Sequence, residues 1–197
     1  ANIGHSTKTV NMPQRVLLRL KLLQVPPIPL RRNKLKLTLK ETAVLAILSA
    51  LMFTSKVIME FLPNIHLLGT LIVAITVVFR AKALFPIYTY VFINGLVAGF
   101  ATWWVPYLYI WTVLWGATML LPHNMPTKIK PIVYMAVCSL HGFLFGTLYA
   151  PMQALFFGLD FKGTIAWIIA GLPFDLVHGV SNLLCGLLIC PIILILK

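Results

Sequence analysis

The sequence predicts an all-α integral membrane protein with six transmembrane helices and both termini in the cytoplasm. Hydrophobic residues make up 60% of the 197 residues, charged residues only 10%, and the mean hydropathy is +0.94. A soluble domain is nearer half apolar and a quarter charged. Apolar runs of about 20 residues, the length that crosses a bilayer, recur along the chain. Basic residues collect in the connections between these runs.

Residues 1–40 are predicted to be a basic extension of a membrane domain that covers residues 41–197. Nine of the 16 Lys and Arg lie in this extension, and three prolines at 26–29 interrupt any long helix. Apolar residues at helical spacing in 16–23 favour an amphipathic helix on an anionic membrane surface. A partly disordered basic leader is the equal alternative. A signal peptide is not predicted, because the extension has neither a continuous apolar core nor a small-residue cleavage site.

Six apolar segments follow the extension. Their predicted bounds are 42–61, 65–79, 83–102, 105–121, 131–150 and 164–195. The last segment is long and contains Pro173. Proline suits the first turn of a helix, so we expect 164–170 to form an outer cap and the membrane helix to begin near Pro173.

The basic residues of the connections predict the orientation. With six spans, every basic connection falls on the same side as the extension. These residues are Arg80, Lys82, Lys128, Lys130 and Lys197. The opposite connections carry only Lys162, beside Asp160, so the positive-inside rule puts both termini in the cytoplasm.

Several functions are disfavoured by what the sequence lacks. The net charge of +12 resides in membrane-flanking loops rather than in a basic groove with interleaved aromatics, so no nucleic acid is expected as a partner. There is no phosphate-binding loop for ATP, no H-E-x-x-H pattern and no cysteine pair at metal-site spacing. We therefore expect no enzymatic activity, no metal and no cofactor of its own.

The stretch GLPFDLVHGVSNLL places three polar residues in an apolar tail. Asp175, His178 and Asn182 are spaced i, i+3 and i+7, so they share one helix face. Exposing Asp175 to lipid would be costly, so this face is expected to point into the bundle or a wet cavity. Two interpretations remain open for Asp175 and His178. In one they form the polar wall of a ligand site that is open to the outside; in the other Asp175 caps its own helix, which begins at Pro173, and His178 bonds to a neighbouring helix. The structural interpretation is favoured for Asn182.

Aromatic and small residues supply further candidates. The stretch WWVPYLYIWTVLW begins with Trp103 and Trp104, which suit the membrane boundary. Tyr107, Tyr109 and Trp111 lie deeper and are candidate pocket walls.

Three small-xxx-small patterns predict close helix approaches. They begin at Ala46, Gly95 and Gly142. His141 and Asn94 beside the glycines are expected to bond between helices. Lys56 and Glu60, spaced i, i+4, are expected to neutralise each other; Glu60 contacting a ligand while Lys56 meets Asp175 is the alternative.

Six spans in about 160 residues, the first span KETAVLAILSALMF and the PNI after it resemble the substrate-binding S components of energy-coupling factor (ECF) vitamin transporters. The resemblance covers roughly residues 38–196. It implies that Ala46 and Ala50 form the flat face that docks on a transmembrane coupling subunit, which is joined to two ATPases that use the ATP. It also implies a multi-pass protein of the cell (plasma) membrane of a Gram-positive bacterium.

The resemblance further implies a vitamin-binding pocket in the outer half of the membrane. It implies where this pocket lies but assigns no role to individual residues. The residues at those places are Asn64, His66, Trp104, Tyr107, Tyr109, Trp111, Asp160, Trp167, Asp175 and His178. Similarity to a subgroup with a cobalamin carrier favours cobalamin, and a precursor such as hydroxymethylpyrimidine is almost equally compatible. The alternatives are a stand-alone facilitator, an enzyme that uses Asp175 and His178, and a purely structural membrane subunit.

Overall fold

The computed structural model describes residues 37–122 and 124–197. This part of the chain consists of helices and the connections between them, with no β-strand. The predictions for the basic extension concern mainly residues 1–36, which lie outside the described residues. Residues 39 and 40, which were assigned to the extension, already belong to the first helix.

Eight α-helices and two 3-10 turns make up the described bundle. The α-helices are α1 (Leu39–Ile58), α2 (Leu68–Phe79), α3 (Leu84–Ala98), α4 (Tyr107–Met119), α5 (Lys130–Phe143), α6 (Phe145–Phe157), α7 (Phe161–Cys185) and α8 (Ile189–Leu196). The 3-10 turns are Arg80–Ala83, between α2 and α3, and Gly186–Leu188, between α7 and α8.

Helix α1 begins with a capping box. The Thr38 hydroxyl accepts from the Glu41 amide at 3.2 Å, and the Glu41 carboxylate accepts from the Thr38 amide at 2.9 Å. These bonds satisfy amides that have no partner within the helix. Glu41 also pairs with Lys82 of the first 3-10 turn. The pair joins the start of α1 to the connection between α2 and α3.

Helices α2, α3 and α4 are short for membrane spans. Helix α2 has 12 residues and α4 has 13, which corresponds to about 18–20 Å against a hydrocarbon thickness of about 30 Å. The chain turns between α2 and α3 at Arg80, whose φ is +54°. The Tyr88 hydroxyl donates to the Leu108 carbonyl and the Trp104 indole donates to the Val91 carbonyl, so α3 and α4 are antiparallel.

Two kinked pairs of helices complete the bundle. Helix α5 passes into α6 through a kink at Leu144, and α7 passes into α8 through the second 3-10 turn. Helix α7 packs antiparallel along α5 and α6, while α8 packs on α2. The prediction that a new helix begins near Pro173 is wrong. Helix α7 runs unbroken from Phe161, and Asp160 caps it by accepting from the Gly163 amide at 2.7 Å.

Four helical stretches of the described chain are long and apolar enough to cross a membrane. They are Leu39–Ile58, Leu68–Ala98, Lys130–Phe157 and Phe161–Leu196. Large apolar side chains such as Phe92, Phe174 and Leu194 are exposed on the bundle. Such a surface suits a surrounding hydrocarbon phase, so the chain has the character of a helical membrane protein.

Candidate ligand site

The polar face predicted on the last long helix points into the bundle. Asp175, His178 and Asn182 are 5%, 3% and 0% exposed, whereas their neighbours Leu176 and Val177 are exposed. The expectation that this face avoids lipid is therefore confirmed. The three side chains nevertheless have different surroundings.

Asp175 supports a neighbouring helix. Its two carboxylate oxygens accept from the Gly146 amide at 2.9 and 3.1 Å. Gly146 is the second residue of α6, where an amide has no partner within its own helix. Glycine is needed there, because a Cβ would lie 2.6 Å from the Asp175 carboxylate. Asp175 thus caps α6 across the helix interface rather than the start of its own helix.

Asn182 belongs to the contact between α5 and α7. Its amide donates to the Cys138 carbonyl at 3.2 Å, and the Ser139 hydroxyl donates to the Gly179 carbonyl at 2.9 Å. A Cβ on Gly142 would lie 2.8 Å from the His178 carbonyl oxygen. The close approach predicted from the Gly142 pattern is therefore present, and Asn182 has the structural role that was favoured for it.

His178 joins a group of buried and half-buried rings that we call the imidazole–aromatic cluster. The cluster consists of His66, Tyr107, Trp111, His141, Phe145 and His178. The His178 ring lies 4.7 Å from that of His66 and 4.8 Å from that of Phe145, between centroids. Trp111 lies 5.6 Å from Tyr107 and 5.7 Å from His141. Residues from the α1–α2 connection and from α4 to α7 thus meet at one place.

The cluster holds buried polar atoms that lack a hydrogen-bond partner. They are His66 Nδ1, Trp111 Nε1, His141 Nδ1 and His178 Nε2, four of the seven such side-chain atoms among the described residues. Buried polar atoms are usually bonded, and an unbonded one costs about 1–3 kcal/mol. This concentration of unsatisfied atoms distinguishes the cluster from the rest of the described chain.

The donor and acceptor character of two of these atoms follows from the contacts. His141 Nε2 lies 3.0 Å from the Ile110 carbonyl, so it carries the proton, and Nδ1 of the neutral ring is an acceptor. Trp111 Nε1–H can only donate. Burial also lowers the pKa of His66, in the connection before α2, to about 4, so its ring is neutral at pH 7. The cluster therefore offers hydrogen bonds without a formal charge.

The remaining candidate residues make contacts outside the cluster. The Tyr109 hydroxyl donates to the Leu148 carbonyl at 2.6 Å, and the Trp104 indole donates to the Val91 carbonyl at 2.8 Å. Trp167 stacks on Tyr149 with 6.0 Å between ring centroids. Tyr109 and Trp167 thus connect neighbouring helices, and Trp104 connects the segment before α4 to α3.

Asn64 and Asp160 lie further from the rings. Asn64 has a φ of +60°, and its carbonyl accepts from the Ser181 hydroxyl at 3.0 Å, which ties the α1–α2 connection to α7. Asp160 is exposed and acts as the cap of α7.

Two cluster members were not among the candidate site residues. His141 was expected only to bond between helices, and its Nε2 does so, but its other ring nitrogen belongs to the cluster. Phe145 is a second member that the sequence pattern did not predict. His141 and Phe145 are spaced i, i+4, and each precedes a glycine. This spacing puts both side chains on one helix face, and it is the sequence signal that could have predicted their place in the cluster.

The predictions for the Lys56–Glu60 pair and for the Gly95–Gly99 pattern have different outcomes. Lys56 and Glu60 form the expected ion pair, with 3.0 Å between Nζ and Oε1. The expectation of a helix contact at Gly95 and Gly99 is wrong. A Cβ on Gly95 would meet the Phe100 ring of the following loop, and Gly99 ends α3 with a φ of +89°.

Helix α1 presents Ala46 and Ala50 on its exposed side. Both are exposed, whereas Leu45, Leu48 and Met52 are buried against the bundle. In residues 37–122 and 124–197, no group of three or more His, Cys, Asp or Glu is placed to hold a metal ion.

No protein-family model, curated protein or solved structure matches this chain. Fold and site geometry therefore define its class, a helical membrane protein with a buried imidazole–aromatic cluster.

Proposed function

We propose that this protein is the substrate-binding S component of an ECF-type vitamin importer in the cell membrane of a Gram-positive bacterium. It would capture a vitamin or precursor at the outer face. A transmembrane coupling subunit and two ATPases would then complete transport. The observation that supports this function most strongly is the concentration of unpartnered polar atoms in the imidazole–aromatic cluster.

The proposal includes six spans with both termini inside. The contacts of the basic residues support it, because they lie together at one end of the bundle. Lys82 pairs with Glu41 at the start of α1, and Arg80 donates to the Met119 carbonyl at the end of α4. A basic end of this kind faces the cytoplasm under the positive-inside rule. The cluster would then lie towards the outer face, where substrate arrives.

The chemistry of the cluster favours a small, flat heterocycle as substrate. Trp111 supplies a donor and His141 an acceptor, and the surrounding rings supply faces for stacking. Because these rings already pack against one another, a small ring requires less rearrangement than a corrinoid. We therefore place a precursor such as hydroxymethylpyrimidine ahead of cobalamin, the substrate that the sequence resemblance favoured.

Binding at the cluster can be tested with two matched tryptophan variants. Trp111→Phe keeps an aromatic ring and removes the unpartnered indole N–H. We expect it to weaken substrate binding by about tenfold, the effect of one hydrogen bond of about 1.4 kcal/mol. Trp115→Phe removes an indole N–H that already donates to the Arg80 carbonyl at 3.1 Å. This control should affect stability and leave the affinity unchanged.

The ligand should be identified before affinities are compared. The chain would be purified from cells grown with a vitamin mixture and examined by native mass spectrometry and absorption spectroscopy. A light heterocycle supports the substrate assignment, and a coloured corrinoid reverses it while keeping the class. Lipid alone, found for every vitamin and with the ATPases supplied, counts against an S component.

Docking on a coupling subunit is tested through α1. Ala46→Leu and Ala50→Leu enlarge two exposed side chains, and they should abolish transport while the isolated chain still binds substrate. Ala136→Leu makes the same change at an exposed position of α5 and should transport normally. Transport that proceeds without any ATPase would instead identify a stand-alone facilitator.

A further inference from the structure

A second region with ligand-binding character lies at the basic end of the bundle, away from the imidazole–aromatic cluster. A cavity of about 530 Å³ opens between the ends of α2, α4, α5 and α8. Its lining includes three cations, Arg80, Lys130 and Lys197, and apolar side chains such as Val77 and Leu194. The proposed vitamin site does not use any of these residues.

Within the described ranges 37–122 and 124–197, the cations of this cavity form no ion pair with an Asp or Glu side chain. The sequence contains only four acidic residues. Glu41 is paired with Lys82, Glu60 with Lys56, Asp175 is bonded to Gly146, and Asp160 caps α7. Residues 1–36 contain no Asp or Glu, so they cannot supply a carboxylate side chain either. The positive charge of the cavity is therefore available to an external anion.

Two structural features hold this charge in place. One guanidinium nitrogen of Arg80 donates to the Met119 carbonyl at 3.1 Å, which fixes the side chain and leaves other N–H groups free. Lys130 is the first residue of α5, so the positive end of that helix dipole adds to its charge.

We infer that this cavity binds one anionic phospholipid, with the phosphate headgroup at Arg80 and Lys130 and the upper acyl chain along Val77 and Leu194. The apolar lining distinguishes a lipid from a free phosphate or an acidic peptide, because neither of those would use it. Leu194 is exposed on the outside of the bundle, so a chain lying against it continues into the bilayer. Basic pockets at the cytoplasmic ends of membrane helices bind anionic headgroups in this way.

The test uses the full chain in a neutral detergent and measures bound lipid by native mass spectrometry. Phosphatidylglycerol and phosphatidylcholine with identical acyl chains are titrated separately. We expect phosphatidylglycerol to bind at least tenfold more tightly. Lys130→Gln should weaken its binding by about fivefold, the effect expected of one cation near an anionic lipid. Lys128→Gln removes the same charge from an exposed residue outside the lining and should have no effect.

A cavity-filling variant separates lipid from free anion. Leu194→Trp keeps every charge, occupies the acyl path and should reduce phosphatidylglycerol binding. The inference is overturned if the two lipids bind equally or if Lys128→Gln acts like Lys130→Gln. It is also overturned if Leu194→Trp has no effect and millimolar inorganic phosphate displaces the lipid. Arg80→Gln is a second charge variant, used if circular dichroism shows that it folds.

Discussion

The polar side chains at the two ends of the bundle differ in their exposure and in their hydrogen bonding. At the end with the imidazole–aromatic cluster, the polar side chains are buried and the ring nitrogens partly unbonded. At the basic end, the cationic side chains of Arg80 and Lys130 are partly exposed around a cavity. The first arrangement suits a neutral ligand that supplies the missing hydrogen bonds, and the second suits an anion.

The difference also shows how polar groups can be tolerated in an apolar bundle. Asp175 accepts from the Gly146 amide and the Asn182 amide donates to the Cys138 carbonyl, so both side chains stabilise the packing around the cluster. Arg80 at the basic end also donates to a backbone carbonyl, that of Met119, but its side chain and that of Lys130 are partly exposed, so water reaches their remaining N–H groups. Variants that remove a packing contact should therefore act more strongly than variants that remove a charge.

The largest effect is expected from closing the contact between α5 and α7. Gly142→Val places a side chain against the backbone of α7, which cannot yield easily, and should lower the free energy of unfolding by about 3 kcal/mol. Gly116→Val is the control, because a Cβ there meets nothing within 4 Å. Unfolding in detergent micelles measures both. Equal unfolding free energies for Gly142→Val and Gly116→Val would contradict the close approach of α5 to α7.

The next effect concerns Asp175. Asp175→Ala leaves the Gly146 amide buried without its acceptor and should cost about 2 kcal/mol. Asp160→Ala removes an exposed cap of α7 and should cost about 1 kcal/mol. If Asp175→Ala has the unfolding free energy of the wild type but no longer binds substrate, Asp175 belongs to the ligand site instead.

Acidification should destabilise the cluster end. The pKa of His66 in the folded protein, about 4, lies below its ordinary value of 6.5 because burial disfavours the charged ring. The unfolded chain therefore takes up the proton first, so stability is complete above pH 6.5 and falls as pH decreases towards 4. The loss should be about 1–2 kcal/mol at pH 5.

His66→Gln isolates this contribution from those of other titrating groups. Its unfolding free energy should depend less on pH between 6.5 and 5 than that of the wild type. Identical pH profiles for the two proteins would show that His66 is not buried as a neutral ring.

The smallest effects are expected from the ion pairs, one at each end. Lys56→Gln and Lys82→Gln should each change the unfolding free energy by less than about 1 kcal/mol, because water screens partly exposed pairs. Added salt should reduce both differences further. A cost above 2 kcal/mol for Lys82→Gln would mean that its link between α1 and the α2–α3 turn is central to the fold.

Much of the fold was predictable from the sequence. The apolar runs located the helical segments, because a backbone in lipid must bond internally and helices of about 20 residues do so. The Asp175–His178–Asn182 spacing correctly placed one polar face inside the bundle. The expectation at Pro173 failed because proline was read as a helix start, whereas α7 continues through it from the Asp160 cap.

Composition and periodicity by themselves determined the helical membrane character, the basic side of the loops and the inward polar face. Only the tertiary structure decided which helix Asp175 caps, which imidazoles meet Trp111, and that Arg80 and Lys130 share a cavity. These contacts join residues 29 to 50 positions apart, and local patterns carry no information about such separations. The packing of the helices determines the partners, because a buried polar group such as the Asp175 carboxylate bonds to the donor or acceptor that a neighbouring helix places beside it.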